Sequence, residues 1–149
     1  MTAASPFARP GTPEDVETGT SLTPGFDAHG LITAIATDFA SGEVVMVAHM
    51  NEEALAKTIA TREAWFWSRS RQELWRKGLT SGNTLDVVEV RIDCDQDAVL
   101  LKVRVACDRV ACHQGYRSCF YRTVPLGTAP TAATRLSFDG AMPRIPPKG

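Results

Sequence analysis

Between residues 25 and 124 the apolar and polar positions fall into short runs of strand length. Leu31–Thr37 and Glu43–Met50 are rich in β-branched residues and flank Ala40-Ser41-Gly42, a composition that closes a hairpin. Asn51 follows as a helix N-cap, with Glu52 and Glu53 in the first turn, where the helix dipole favours negative charge. Leu55 and Ile59, four residues apart, give Asn51–Thr61 one apolar face. Ala64–Arg69 reads as an aromatic-rich strand, Gln72–Lys77 fits helix or turn, and Thr80-Ser81-Gly82-Asn83 is a loop. In Leu85–Cys94, Val88, Val90, Ile92 and Cys94 share one phase, while Val87, Glu89, Arg91 and Asp93 share the other. Side chains alternate across a strand, so this pattern puts Cys94 on the apolar face. Ala98–Cys107 predicts the next strand, Asp108–Ser118 an irregular stretch and Cys119–Val124 a final strand. Strands at hairpin spacing with one or two short helices predict an α+β fold built mainly from antiparallel strands.

The two ends have a different composition. Residues 1–24 hold four prolines among Thr, Ser and Gly and predict a flexible extension. Residues 125–149 form a Pro-rich tail, with Phe138 and Met142 able to pin part of it. The body, residues 25–124, is the expected folded domain. The 149 residues suit one domain, and 16 Lys+Arg against 17 Asp+Glu leave a net charge of -1, which excludes a strongly basic nucleic-acid wrapper. No run approaches the roughly 18 apolar residues of a membrane span, and the N-terminus lacks the apolar core of a signal peptide. A cytoplasmic location is expected, where clustered cysteines serve as metal ligands or buried thiols rather than disulfides.

Three groups of residues carry candidate chemistry. Asp93, Asp95 and Asp97 alternate along the chain, and if extended they share one face. Carboxylates that close repel one another, and a hard cation such as Mg²⁺ or Ca²⁺ would relieve it. The spacing is not that of an EF-hand, since Ala98 and Arg104 stand where its Gly and Glu belong. A solvated acidic turn is the plainer alternative. Cys112 and Cys119 flank the loop His113-Gln114-Gly115-Tyr116-Arg117-Ser118, with Cys94 upstream. Three thiolates make a zinc site with one open position for water, although buried core thiols fit the same spacing. Strand alternation points Cys94 away from Asp93 and Asp95, so two metals would occupy two sites, one of oxygen and one of sulfur. His113, next to a ligand, can act as general base or acid, whereas His29 and His49 read as structural. Finally, Trp65, Trp67, Arg69, Arg71, Trp75, Arg76 and Lys77 interleave aromatic and basic residues. With Ser81 and the Gly82 amide they suit a phosphorylated purine. The alternative puts Trp65 and Trp67 in the core and the arginines in water.

Met46–Asn83, Arg91–Asp97 (RIDCDQD) and Ala111–Arg122 (ACHQGYRSCFYR), in that order, resemble phosphoribosyl-AMP cyclohydrolase of histidine biosynthesis. The similarity covers about residues 22–123. It implies hydrolytic opening of the adenine ring of 1-(5-phosphoribosyl)-AMP at the N1–C6 bond by a zinc-activated water, giving the formimino-carboxamide ribonucleotide. It implies zinc on Cys94, Cys112 and Cys119, with Cys94 contributed across a homodimer interface, and magnesium on Asp93, Asp95 and Asp97. His113 is then the expected proton-transfer residue, and Arg69, Arg71, Trp75, Lys77, Ser81 and Gly82 the expected substrate-binding set. The chain departs from the family at Cys107 (usually Gln, so not a ligand), Asp108-Arg109, Leu79, His49 and Gln114. It resembles the stand-alone cyclohydrolase, with no following pyrophosphohydrolase domain. A magnesium-dependent phosphohydrolase using the aspartates and a non-catalytic zinc-stabilised binding module are the alternatives.

Overall fold

The computed structural model describes residues 4–79, 81–106 and 109–146. Cys107, Asp108 and Thr80 lie outside them. The element order is α1 (Pro13–Thr18), β1 (Ile32–Asp38), β2 (Val44–Met50), α2 (Glu52–Thr61), β3 (Trp65–Ser68), β4 (Glu73–Arg76), β5 (Leu85–Ile92), β6 (Ala98–Val105), β7 (Arg122–Thr123) and β8 (Ser137–Phe138). The fold is α+β, with mainly antiparallel strands and two helices.

A four-stranded sheet in the order β2-β1-β6-β5 forms the centre. Its β1–β2 and β5–β6 hairpins are antiparallel, and they join through a parallel β1–β6 pair, Thr33 opposite Ala98 through Asp38 opposite Val103. Hairpin spacing alone could not reveal that pair, which depends on how two hairpins meet in space. One face carries Ile32, Ala34, Ala36, Val99, Leu101 and Val103, buried under Ala54 and Leu55 of α2 and Phe66 of β3. Asn51 caps α2 as expected, its Oδ1 accepting from the Ala54 amide at 2.8 Å. The buried helix face is Ala54, Leu55 and Thr58, and Ile59 is exposed. Thr58 serves because its hydroxyl is satisfied, donating to the Ala54 carbonyl at 2.8 Å and accepting from the Trp65 amide at 3.0 Å. That bond ties the helix to β3.

The expected single phase for Leu85–Cys94 needs correction. Leu85 and Val87 face the core, and the pairing register then shifts between Val87 and Glu89. A bulged residue inverts the alternation. Val88 is consequently 38% exposed; beyond the shift Val90 and Ile92 pair with Leu101 and Val99, and Ile92 packs against the core while Val90 is also 38% exposed. The strand ends at Ile92, so Cys94 is exposed in the following turn and is not a core residue.

Segment 72–77, open between helix and turn on sequence, contains β4, paired with β3 from Trp65 opposite Arg76 to Ser68 opposite Glu73. The N-terminal residues carry α1, whose capping box joins Thr12 and Asp15. Gln96 reaches this segment: its side-chain oxygen accepts from the Thr23 amide at 2.8 Å, and its amide nitrogen donates to the Val16 carbonyl at 2.9 Å. No helix among the described residues is long and apolar enough to cross a membrane.

Candidate active site

The β3–β4 hairpin carries the basic and aromatic stretch, and it ends beside the loop that holds two of the cysteines. Phe66 is fully buried and its ring lies 5.0 Å from that of Trp75. This contact fixes Trp75 at the wall of a cavity of about 540 Å³. Arg71, Lys77, Ser81, Cys112 and His113 open onto the same space. Arg69 and Gly82 do not line it. Arg76, Gly78 and Asn83 do, although only the first was singled out by the charge pattern. Arg76 is partly committed, its Nη1 donating to Glu63 at 3.0 Å. Gly78 has φ +85°, and a Cβ there would collide with the backbone of Thr84, so the turn after β4 admits glycine alone.

A larger hollow, about 620 Å³, lies between Asp38, Glu43, Arg104, Arg109 and Arg117. Among the described residues neither thiol nor imidazole lines it, and Arg117 is already held by Glu43 through bonds of 2.8 and 3.1 Å. The smaller cavity is therefore the one that gathers the candidate residues.

The loop at residues 112–119 is stitched to β2. The buried Ser118 hydroxyl donates to the Val44 carbonyl at 2.7 Å, and the Cys119 amide to the Val45 carbonyl at 2.7 Å. At the other end the Gln114 amide donates to Cys112 Sγ at 3.4 Å, and the Gly115 amide to the Cys112 carbonyl at 2.9 Å. Cys119 is exposed as a residue but its sulfur is partly shielded, and that desolvation, then the neighbouring Cys112 sulfur, raises the thiol to about 11, with Lys77 opposing the shift. Burial likewise lowers Lys77, and the two sulfurs work against that. Cys112, Cys119 and Lys77 are thus one electrostatic unit.

Cys94 does not join them. Among the described residues, Asp93, Asp95 and Asp97 form the one group of three metal-capable side chains with donor atoms within 4.8 Å of one another. These aspartates lie in the exposed turn between β5 and β6 rather than along an extended strand, and the turn is what draws the carboxylates together. Burial works against the charge of Asp93, but the Ala98 and Asp97 amides donate to its Oδ1 at 3.0 and 2.9 Å and hold its pKa below the usual range. Hydrogen bonding to Asp95 and then Asp93 raises Asp97 from 3.8 to about 6.

That shift gives a stability prediction. A carboxyl held higher in the folded chain contributes stability that is complete below its ordinary value and lost as the pH rises through the folded one. For Asp97 the loss falls between about 4 and about 6. Asp97→Asn is expected to raise the urea midpoint in chelator above pH 6 and to leave it near wild type at pH 4. Equal shifts at the two pH values would refute carboxylate crowding as the cause.

The oxygen cluster suits a hard cation, and the paired thiols supply two soft donors. A family model, phosphoribosyl-AMP cyclohydrolase, matches residues 46–121, which carry both groups. The chain belongs to the phosphoribosyl-AMP cyclohydrolase family. A Brucella canis protein of that name is 57% identical over 130 residues, covering 87% of this chain and 94% of the relative. A Brucella anthropi protein of the same name is 55% identical over 134 residues, covering 90% and 93%. One from Bradyrhizobium diazoefficiens is 63% identical over 110 residues, covering 74% and 77%. This cyclohydrolase-family chain is accordingly a hydrolase, and its substrate is a small nucleotide.

Proposed function

We propose that the chain opens the adenine ring of 1-(5-phosphoribosyl)-AMP by hydrolysis at N1–C6, as a step of histidine biosynthesis. The observation that carries this reading is the shared cavity of Cys112, His113, Trp75, Arg71, Lys77 and Ser81 in a chain of this family.

Cys112 and Cys119 would hold zinc together with Cys94 of a second copy in a homodimer, and the cation would make a bound water acidic enough to act near neutral pH. The exposed position of Cys94, apart from the other two thiols, favours donation to another chain. Asp93, Asp95 and Asp97 would hold magnesium near the phosphates. Arg71, Lys77 and Ser81 face the cavity with charge and a hydroxyl suited to phosphate. The Trp75 face offers the purine a stacking surface. His113 accepts the proton lost by the attacking water or delivers one to N1 as the C6–N1 bond breaks.

The test is an absorbance assay of the purified protein with phosphoribosyl-AMP, with zinc measured on the same sample. Ring opening with zinc bound is expected. Release of inorganic phosphate with no ring opening would support the aspartate-based phosphohydrolase, and zinc binding with no turnover a binding module.

A further inference from the structure

The segment beyond β7 leaves the body, turns and comes back onto the active-site loop. β8 returns it, with Arg122 opposite Phe138 and Thr123 opposite Ser137. An aromatic stack supports the return: Tyr121 lies 4.0 Å from Tyr116 with rings 9° from parallel, and Phe138 lies 6.1 Å from Tyr121. Met142 is 5% exposed amid exposed neighbours and acts as an anchor. The chain then closes on the turn that bears His113. Arg144 Nε donates to the Gln114 carbonyl at 2.7 Å, and the Ile145 amide donates to the Gly115 carbonyl at 2.7 Å. Gly115, at φ +96°, has no room for a side chain, because a Cβ would collide with the Ile145 carbonyl. Ile145 and Pro146 go on to line the cavity beside His113.

The two carbonyls that receive these bonds belong to the residues directly after His113. His113 and Gln114 are exposed and stand at the tip of the loop, where the internal bonds are those from Gln114 and Gly115 to Cys112 and the one from the Cys112 amide to the Tyr116 carbonyl at 3.0 Å, none of which engages the Gln114 or Gly115 carbonyl. A tip so thinly held by its own bonds takes its orientation from outside. The outside contacts come from residues 144 and 145, beyond the stretch matched by the family model.

We propose that residues 141–146 form a strap that orients the His113 turn, with Arg144 as a positioning residue acting through the Gln114 carbonyl. The functional part of this inference rests on the proton-transfer role given to His113. The structural part does not.

The experiment uses the full chain with Arg144→Ala, Ile145→Pro and both together. Ile145→Pro removes one amide donor at a half-exposed residue. Amide hydrogen exchange is read at residues 112–116, with Leu101 and Val103 of β6 as internal reference, alongside steady-state kinetics and metal content. In the double variant, exchange at Gln114 and Gly115 should rise about 30-fold and kcat fall to a similar extent, the low end of what losing two bonds, one of them from a charged donor, gives at an exposed site. Arg144→Ala alone, outside the cavity lining, should leave KM and bound metal near wild type, and Arg144→Lys should recover most of the rate lost in Arg144→Ala. Unchanged loop exchange in the double variant would overturn the strap. Faster exchange with unchanged kcat, or an effect on KM alone, would overturn the positioning role. A wild-type protein that opens no ring would defeat the functional reading, while the exchange measurement would still decide whether the strap holds the turn.

Discussion

Cys112→Ser is expected to abolish ring opening and zinc binding while leaving the fold intact. Serine nearly matches cysteine in volume, and Cys112 is 5% exposed in a loop held by backbone bonds and Ser118, so packing loses little. Its hydroxyl does not ionise to give the soft anion zinc requires. Cys119→Ser and Cys94→Ser should do the same, although Cys94 is an exposed residue that lies outside the Cys112–Cys119 pair. That separation makes a sharper experiment possible. Cys94→Ser supplies intact Cys112 and Cys119, and Cys112→Ser supplies intact Cys94. If each site draws on two chains, a heterodimer of the two dead variants has one whole site and one doubly broken site. Equal mixing with free exchange of subunits gives half heterodimers, so about a quarter of wild-type activity should return. No recovery after verified exchange would place all three thiols of a site on one chain or dismiss the shared site. Full activity in Cys112→Ser would transfer the chemistry to Asp93, Asp95 and Asp97.

Local signals were legible wherever the chemistry that fixes a structure lies within a few residues. The Asn51 cap with its acidic first turn, the hairpin about Ala40-Ser41-Gly42 and the β6 run all appear close to their expected bounds. What escaped depends on neighbours distant in sequence. Val88 looks like any β-branched strand residue, and only pairing with β6 shows that the register slips there. The phase extended across that slip placed Cys94 in the core, whereas the strand stops before it. The aspartates lie in an acidic turn, the plainer of the two readings their spacing allowed, and that turn brings their oxygens together. Of the six residues expected to bind substrate, Arg71, Trp75, Lys77 and Ser81 line the cavity, because β4 and the Gly78 turn point them there. Arg69 belongs instead to the hairpin tip, where its carbonyl accepts from Gln72 at 2.7 Å. The role of Gln96 in holding the N-terminal segment had no sequence signal, since its partners are backbone carbonyls and an amide more than 70 residues away.

The second large effect is expected at His113. It lines the cavity next to Cys112, yet it belongs to no cluster of metal-capable side chains among the described residues. With the ring assigned to proton transfer rather than to the cation, its loss should separate turnover from metal binding. Thiolates donate more charge to zinc than imidazoles do, which weakens the cation as a Lewis acid and raises the value of a nearby proton carrier. His113→Ala should lower kcat by about 10²- to 10⁴-fold, the range for removing a general acid or base. Zinc content and the unfolding midpoint should remain at wild-type values, because the side chain is exposed. Substrate affinity should also hold, since phosphate and purine are assigned to Arg71, Lys77, Ser81 and Trp75 on other elements. Added imidazole should restore part of the rate by carrying the proton itself, and the rescue should grow with imidazole concentration until it saturates. Zinc-loaded His113→Ala turning over at the wild-type rate would remove His113 from the reaction and with it the functional reason for holding this turn in place. A fall in zinc content parallel to the fall in rate would make the residue a support for the metal site instead.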